Sequence, residues 1–423
     1  ASVAAVLLLF LYVFAQQPGR GPTHPGTPTA SRGPTVTASA TATTTSGGPF
    51  TVADTQVAKQ LSVAYVQDND IWIGLRGARP TQATHLGLAT PDSLTWRLVW
   101  TDDQSRLLAV ANDDAHATTV APRAWIITTA TGAVTAMSPA TSGNLGGGCE
   151  MACSWLGDRY IAHANPTVAA THYLEYQVYD TQAQRDLTTA LDTVQVVELE
   201  TRGAEIYFNP YTVSPGPTPG TISRFDLASN TITRAVFTAP GPLVSQGIPS
   251  ANWDISADGS AVVYEFGIGL GNLCPSTTCY TYYQDHSGTV TALFPGYQSQ
   301  AASGATMLFD VRISPDGKNA AVLSGNTMGA PTVGPPNDLL QQQISTGYLF
   351  ENALVAGVGY QDMIAGWTAR TPGIVVAQTR LDANGNTQST SLYFAPLGGS
   401  GNAELVESLA LPVDVAVSVA PSA

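Results

Sequence analysis

Short apolar or alternating stretches, each ended by turn residues, recur from about Phe50 to Ala420. Runs of this kind include Leu61–Val66, Ile71–Leu75, Leu107–Ala111, Ala124–Thr128, Tyr173–Tyr179, Ile222–Asp226, Val262–Phe266, Gly373–Gln378 and Ser391–Ala395. Their period of two, and turn pairs such as Ser287-Gly288 and Asn384-Gly385 between them, read as β-strands joined by hairpins. No long amphipathic helical pattern interrupts them. Asn337–Ile344 is the one stretch expected to form a short helical turn.

One strand–turn–strand unit repeats. Val311–Leu323 reads as a strand, a tight turn at Ser314-Pro315-Asp316-Gly317 and a second strand. Trp253–Tyr264 echoes it with Ser256-Ala257-Asp258-Gly259, and Trp100–Val110 is a more divergent copy with Thr101-Asp102-Asp103-Gln104. A recurring unit indicates a repeat architecture, and the chain divides into units of roughly 40–50 residues, whose many short strands predict a β-propeller. Seven four-stranded blades fit best, with six or eight also compatible. The first unit lacks an inner strand, whereas the final run Val413–Val419 alternates like a strand with no place in the last unit. Pairing the two would close the ring and remove an exposed edge.

The Ser314–Lys318 and Ser256–Ser260 turns resemble the repeat of TolB-like, WD-repeat-like bacterial propellers. The resemblance is specific in two or three blades, and Leu156-Gly157-Asp158 departs from it. It implies protein or peptide binding, envelope scaffolding or sensing, and no particular reaction. Within the repeat, Asp can bond nearby backbone and Gly supplies a positive φ, so both are expected to be structural. The inner-strand residues Trp100, Trp155, Trp253 and Trp367 are expected in the core, as are Tyr280, Tyr282 and Tyr283.

Two segments precede this region. Val3–Ala15 is an unbroken apolar run. As a helix it would cover only ~20 Å of a ~30 Å bilayer core, so it reads either as a signal peptide or as part of a transmembrane anchor. Residues 16–49 are rich in Pro, Thr, Ser and Gly, the composition of a disordered linker or stalk. Either reading of the first segment exports the propeller, at residues 50–420, to an extracytoplasmic location, secreted or tethered to the envelope.

Charge narrows the partners. A formal net charge of −14, with lysine only at Lys59 and Lys318, offers no basic stripe for nucleic acid. The cysteines form two close pairs, Cys149 with Cys153 and Cys274 with Cys279, neither with zinc-ribbon spacing. In an exported chain both pairs are expected to be local disulfides.

Catalytic signatures are scarce. There is no G-x-S-x-G elbow, H-E-x-x-H motif or P-loop. Asp382–Asn386 resembles the start of a calcium loop but lacks its later ligands. The links between second and third strands of the units are repeatedly long, and long loops on a rigid scaffold tend to carry function. Candidate binding residues on that face are Asp113, Asp114, His116, Arg123, His163, His172 and Tyr211. The histidines and aspartates could in principle hold a metal, but their spacing matches no metal motif, so neither metal nor cofactor is expected. The expected function is a non-catalytic, envelope-tethered propeller that binds a protein, peptide or glycan through this face, with the sensor of a larger membrane receptor as one form of it. The alternative is a propeller enzyme (glycosidase, lactonase or lyase) with a carboxylate and histidine site there.

Overall fold

The computed structural model describes residues 50–419 except 54, 87–93, 114–122, 138–147, 150–151, 166–173, 211–220, 239–252, 267–279, 295–306, 326–337, 355–359, 369, 383–386, 400 and 411–414. The apolar run at 3–15 and the linker at 16–49 therefore lie outside the described residues.

The described chain is almost entirely β-structure. It opens with β1 (Phe50–Val52), a single helical turn α1 (Thr55–Ala58), and the strands β2 (Leu61–Gln67), β3 (Asp70–Leu75) and β4 (Thr81–Gln82). Antiparallel meanders follow: β5 (Leu94–Trp100), β6 (Arg106–Asp113), β7 (Arg123–Thr128) and β8 (Ala133–Ala136), then β9 (Cys153–Leu156), β10 (Tyr160–Ala164), β11 (Leu174–Asp180) and β12 (Arg185–Leu187). Next come β13 (Gln195–Arg202), β14 (Glu205–Pro210), β15 (Thr221–Asp226) and β16 (Thr231–Thr238), and then β17 (Trp253–Ile255), β18 (Ala261–Phe266), β19 (Tyr280–Asp285) and β20 (Val290–Leu293). The last are β21 (Met307–Ile313), β22 (Asn319–Gly325), β23 (Asp338–Gln343) and β24 (Leu349–Ala353), then β25 (Tyr360–Thr368), β26 (Gly373–Leu381), β27 (Thr387–Pro396), β28 (Gly401–Asn402), β29 (Glu404–Leu409) and β30 (Val415–Val419). The meanders β9–β12 and β13–β16 are joined into one sheet by a short β11–β13 pairing.

The first strands of these meanders line up side by side. Strand β30 touches β5, β5 touches β9, β9 touches β13, β17 touches β21, β21 touches β25, and β25 touches β30 again. The remaining step, from β13 to β17, is made by Arg202, whose Nε donates to the carbonyl of Ile255 at 2.9 Å. A closed ring of inner strands, each starting a sheet that runs outward, is the β-propeller arrangement. The core is correspondingly divided into slabs between neighbouring sheets, one holding Val263, Val311, Val322 and Leu340, another Leu323, Leu339, Ile374 and Val376. Burial of such runs on both sheet faces explains why they read as nearly continuous apolar stretches.

Both ends of the described chain stitch the ring shut. Strand β30 pairs with β2 from Leu61↔Val419 to Tyr65↔Val415 and so supplies the inner strand missing from the first unit. Strand β1 pairs with β29 on the outer edge of the last sheet, with Val52 opposite Glu407.

The repeated turn has the same hydrogen bonds in all three copies. Ser314 Oγ donates to Asp316 Oδ1 (2.7 Å), the Asn319 amide donates to Ser314 Oγ (2.9 Å), and the Gly317 amide to the Ser314 carbonyl (2.9 Å). Ser256, Asp258, Ala261 and Gly259 reproduce this set, and Thr101, Asp103, Arg106 and Gln104 do so again. The fourth turn residue needs a left-handed backbone: φ is +70° at Gly317, +68° at Gly259 and +62° at Gln104. Gln104 tolerates this because its buried side chain is anchored, accepting from Ser62 Oγ (2.5 Å) and donating to the Gln60 carbonyl (3.3 Å) in the neighbouring sheet.

Two local expectations are corrected. Asn337–Ile344 holds strand β23, not a helical turn, because Leu339 and Leu340 alternate into the slabs on opposite sides of the sheet. His163 lies within strand β10 and is fully buried, where a loop position was expected. The expected disulfide between Cys149 and Cys153 is present. The second expected pair, Cys274 and Cys279, lies outside the described residues. Trp100, Trp155 and Trp253 are core residues, and Tyr282 packs against Tyr264 with ring centroids 6.1 Å apart.

Candidate functional site

Charged residues interrupt the apolar inner strands at alternate positions, and alternation places them on one face. Glu198, Glu200 and Arg202 share β13, Asp254 lies on β17, and Asp310 and Arg312 lie on β21. Arg202 Nη2 bonds Asp254 Oδ1, while its Nη1 donates to Glu200 Oε2 at 3.3 Å and to the Thr201 carbonyl at 2.7 Å. Arg312 Nη2 donates to Asp310 Oδ1 at 2.9 Å, and its Nη1 faces Glu200 Oε1 at 3.8 Å. The carboxylates also receive backbone amides from the next inner strand. Asp254 Oδ2 accepts from Ile313 (2.8 Å), and Asp310 Oδ2 from Ile364 (2.5 Å). Asp310 sits in a bulge with φ +56°, so the local kink directs its carboxylate across the gap.

The electrostatics follow from packing so many charges where protein replaces water. Burial raises the Glu198 carboxyl well above the usual range, and the nearby Glu200 adds to this. Glu200 and Asp310 are also raised by burial, against the pull of Arg202 and Arg312 respectively. Burial works to lower Arg312, but Asp310, Asp254 and Glu200 outweigh it and raise the guanidinium, locking it in the charged form.

This network forms one wall of a cavity of about 680 Å³ in the channel. Trp96, Trp100 and Trp367 stand among apolar residues in the rest of the lining, with Val417 and Val419 from the closing strand β30. The second residue of each repeated turn (Asp102, Ala257 and Pro315) also contributes to the lining. Of these, Asp102 alone is charged; burial raises its carboxyl, partly offset by Arg202.

Of the residues expected to form a loop-face site, Asp113, Arg123 and His163 are among the described residues. Asp113 ends β6 opposite Leu94, and Arg123 begins β7 as an exposed residue. His163 points inside the fold: Nε2 faces Asp186 Oδ1 and Nδ1 faces the Ala164 carbonyl, each at 2.9 Å. Asp114, His116, His172 and Tyr211 lie outside the described residues, as do Cys274 and Cys279. Among the described residues no three His, Cys, Asp or Glu side chains are grouped as metal ligands. Cys149 and Cys153 form a disulfide, with Cα atoms 4.6 Å apart and Cys149 fully buried. It lies on the strand next to His163, since Cys153 is paired with His163 across β9 and β10.

Sequence reading missed the channel network. A signal was present in Trp253-Asp254-Ile255 and Asp310-Val311-Arg312, where charge replaces an apolar residue inside an inner strand.

No family model and no curated protein matches the chain. Solved structures do match. The β-propeller domain of the Trilobed protease from Pyrococcus furiosus, described as having an open velcro topology, aligns at 10% identity over 80% of this chain and 92% of that one (TM-score 0.46). A complex of KlAtg21 with the coiled-coil of AgAtg16 aligns at 11% identity over 82% and 98% (TM-score 0.47). A structure from work on two prolyl endopeptidases aligns at 13% identity over 76% of this chain but only 43% of its own (TM-score 0.46).

Proposed function

We propose that this chain is a non-catalytic, ligand-binding propeller of seven four-stranded blades, TolB-like and WD-repeat-like in its turns. In this reading it is held outside the cytoplasm behind its N-terminal apolar segment and takes a protein, peptide or glycan into the central channel. The observation that carries the reading is the channel cavity itself. Its volume of about 680 Å³ lies within the ~300–1,000 Å³ typical of ligand pockets. It combines an aromatic and apolar lining with a small set of fixed charges, as recognition sites do. Binding is favoured over catalysis by how those charges are engaged. Arg202 holds Asp254 and Glu200, and both aspartates are committed to backbone amides. The Thr101 hydroxyl, also in the lining, donates to Asp103.

Binding of the full chain to peptide and glycan arrays tests this. Trp96→Ala and Asp102→Ala should each weaken a detected ligand about tenfold, the loss expected for one buried aromatic or charged contact. Turnover of glycoside, lactone or peptide substrates that is abolished by Asp102→Asn would replace the binding reading with the enzymatic one.

A further inference from the structure

Glu407 plays no part in the channel and has no polar partner where it is. It lies on β29, is 2% exposed, and neither carboxyl oxygen is hydrogen-bonded. Among the described residues, the groups around it are apolar or neutral: Phe50 and Val52 of β1, Thr390 and Leu392 of β27, and Val63 of β2. None of these can titrate, and neither can any side chain of α1, which also packs on β29. The void beside the carboxyl is about 10 Å³, at most the space of one water. This is also the seam of the ring, where the last sheet meets the first.

We propose that Glu407 is a proton-operated latch on this seam. With its carboxyl neutral, β1 stays paired to β29 over an apolar joint. Once ionised, the carboxylate opens the joint by releasing β1 so that water can reach it.

Three features single out β1 as the part that gives way. A bare carboxylate cannot remain in an apolar site without a partner or solvent. On one side of β29 stands β27, a ten-residue interior strand paired on both edges. On the other stands β1, with three residues in register plus one further bond from the Ala53 amide to the Val406 carbonyl (2.7 Å). A three-residue edge strand has few bonds to break and opens at a low local free energy, so water enters there first. Burial alone raises the carboxyl to about 8, which places the change just above neutrality.

Hydrogen exchange on the full chain from about pH 6 to about pH 9 tests the latch, with protection of the amides of residues 50–53 compared with those of 320–323 inside β22. From the ordinary 4.5 up to about 8 the opening constant should rise by up to about tenfold per pH unit, levelling off above that. Wild-type protection at 50–53 should therefore fall by that factor relative to 320–323, while Glu407→Gln holds the ratio constant. Equal pH dependence in both proteins, or a flat ratio in the wild type, overturns the proposal. Should Glu407→Gln fold poorly, a carbon-13 NMR titration of the wild-type glutamates decides the matter. A Glu407 carboxyl titrating in the ordinary glutamate range rules the latch out.

Discussion

The carboxylate of Asp254 accepts the backbone amide of Ile313 from the neighbouring inner strand, at 2.8 Å. Inner strands of adjacent sheets share no backbone ladder, so their edge amides need acceptors from elsewhere. Asp254 supplies one, and Asp310 repeats the device one sheet further on by accepting from Ile364. The same Asp254 carboxylate holds Arg202. One side chain therefore ties three inner strands (β13, β17 and β21) around the channel.

Removing it should be costly. Asp254→Ala leaves the buried Ile313 amide without its acceptor and strips Arg202 of one carboxylate, though Glu200 and two carbonyls still hold the guanidinium, so the cost should fall toward the lower end of the about 3–5 kcal/mol typical of breaking a buried pair from one side. Asp254→Asn keeps one acceptor oxygen for Ile313 and should lose less. The double variant Arg202→Met with Asp254→Leu removes both charges and should recover much of the loss. Urea unfolding midpoints check the order, which fails if the double variant is no more stable than Asp254→Ala.

The two glycine turns separate backbone strain from steric overlap. A Cβ at Gly317 would meet Ala261 and Ser256 Cβ atoms at an ordinary 3.6 Å, so Gly317→Ala adds only the cost of a left-handed alanine, about 1–2 kcal/mol. A Cβ at Gly259 would run into the Tyr207 hydroxyl. Gly259→Ala should therefore be the more destabilising of the two, and Tyr207→Phe should relieve part of the difference. Thermal melting of the three variants gives the comparison.

Gln104 invites the opposite substitution. Gln104→Gly removes strain of about 1–2 kcal/mol at φ +62°, yet leaves the buried Ser62 hydroxyl and the Gln60 carbonyl without their bonds. Losing two hydrogen bonds costs about 0.5–1.5 kcal/mol each, and glycine adds about 0.5–1 kcal/mol of unfolded-chain entropy, so the expected result is net destabilisation. A more stable Gln104→Gly protein would mean that the inter-sheet bonds contribute little.

The turns and the ring closure were legible in the sequence because their causes are local. Asp-Gly after Ser-Pro dictates its own hydrogen bonds, and Val415–Val419 carries a strand period with no partner nearby in sequence. The Thr101 copy was readable for the same reason, even with Gln104 in the glycine place. The channel network was not legible, because Arg202, Asp254 and Arg312 are far apart in sequence and meet only when the ring closes. His163 was placed at the start of the link between strands because the apolar run before it is short, whereas the strand continues to Ala164. Its burial depends on Asp186, which reaches it from the far edge of the same sheet. Nor does anything local mark Glu407 as buried, since its neighbours Glu404 and Leu405 are exposed on the same strand.

Glu407 leads to the last prediction, on stability against pH. Its carboxyl moves from an ordinary 4.5 to about 8 on folding, through burial with no compensating partner. The folded protein then holds a proton that the unfolded chain has released between these values. Stability from this group is complete below about pH 4.5 and declines as pH rises toward about 8, by up to about 1.4 kcal/mol per unit. Opening of β1 limits the decline, because once the carboxylate reaches water the penalty stops growing. The melting temperature of the wild type should therefore fall between about pH 5 and about pH 8 relative to Glu407→Gln, with the gap narrowing again at lower pH. Glu407→Leu, which needs no polar partner, should match or exceed the glutamine variant throughout. Parallel wild-type and Glu407→Gln curves across that range would show that the buried carboxyl is accommodated at no cost in its charged form.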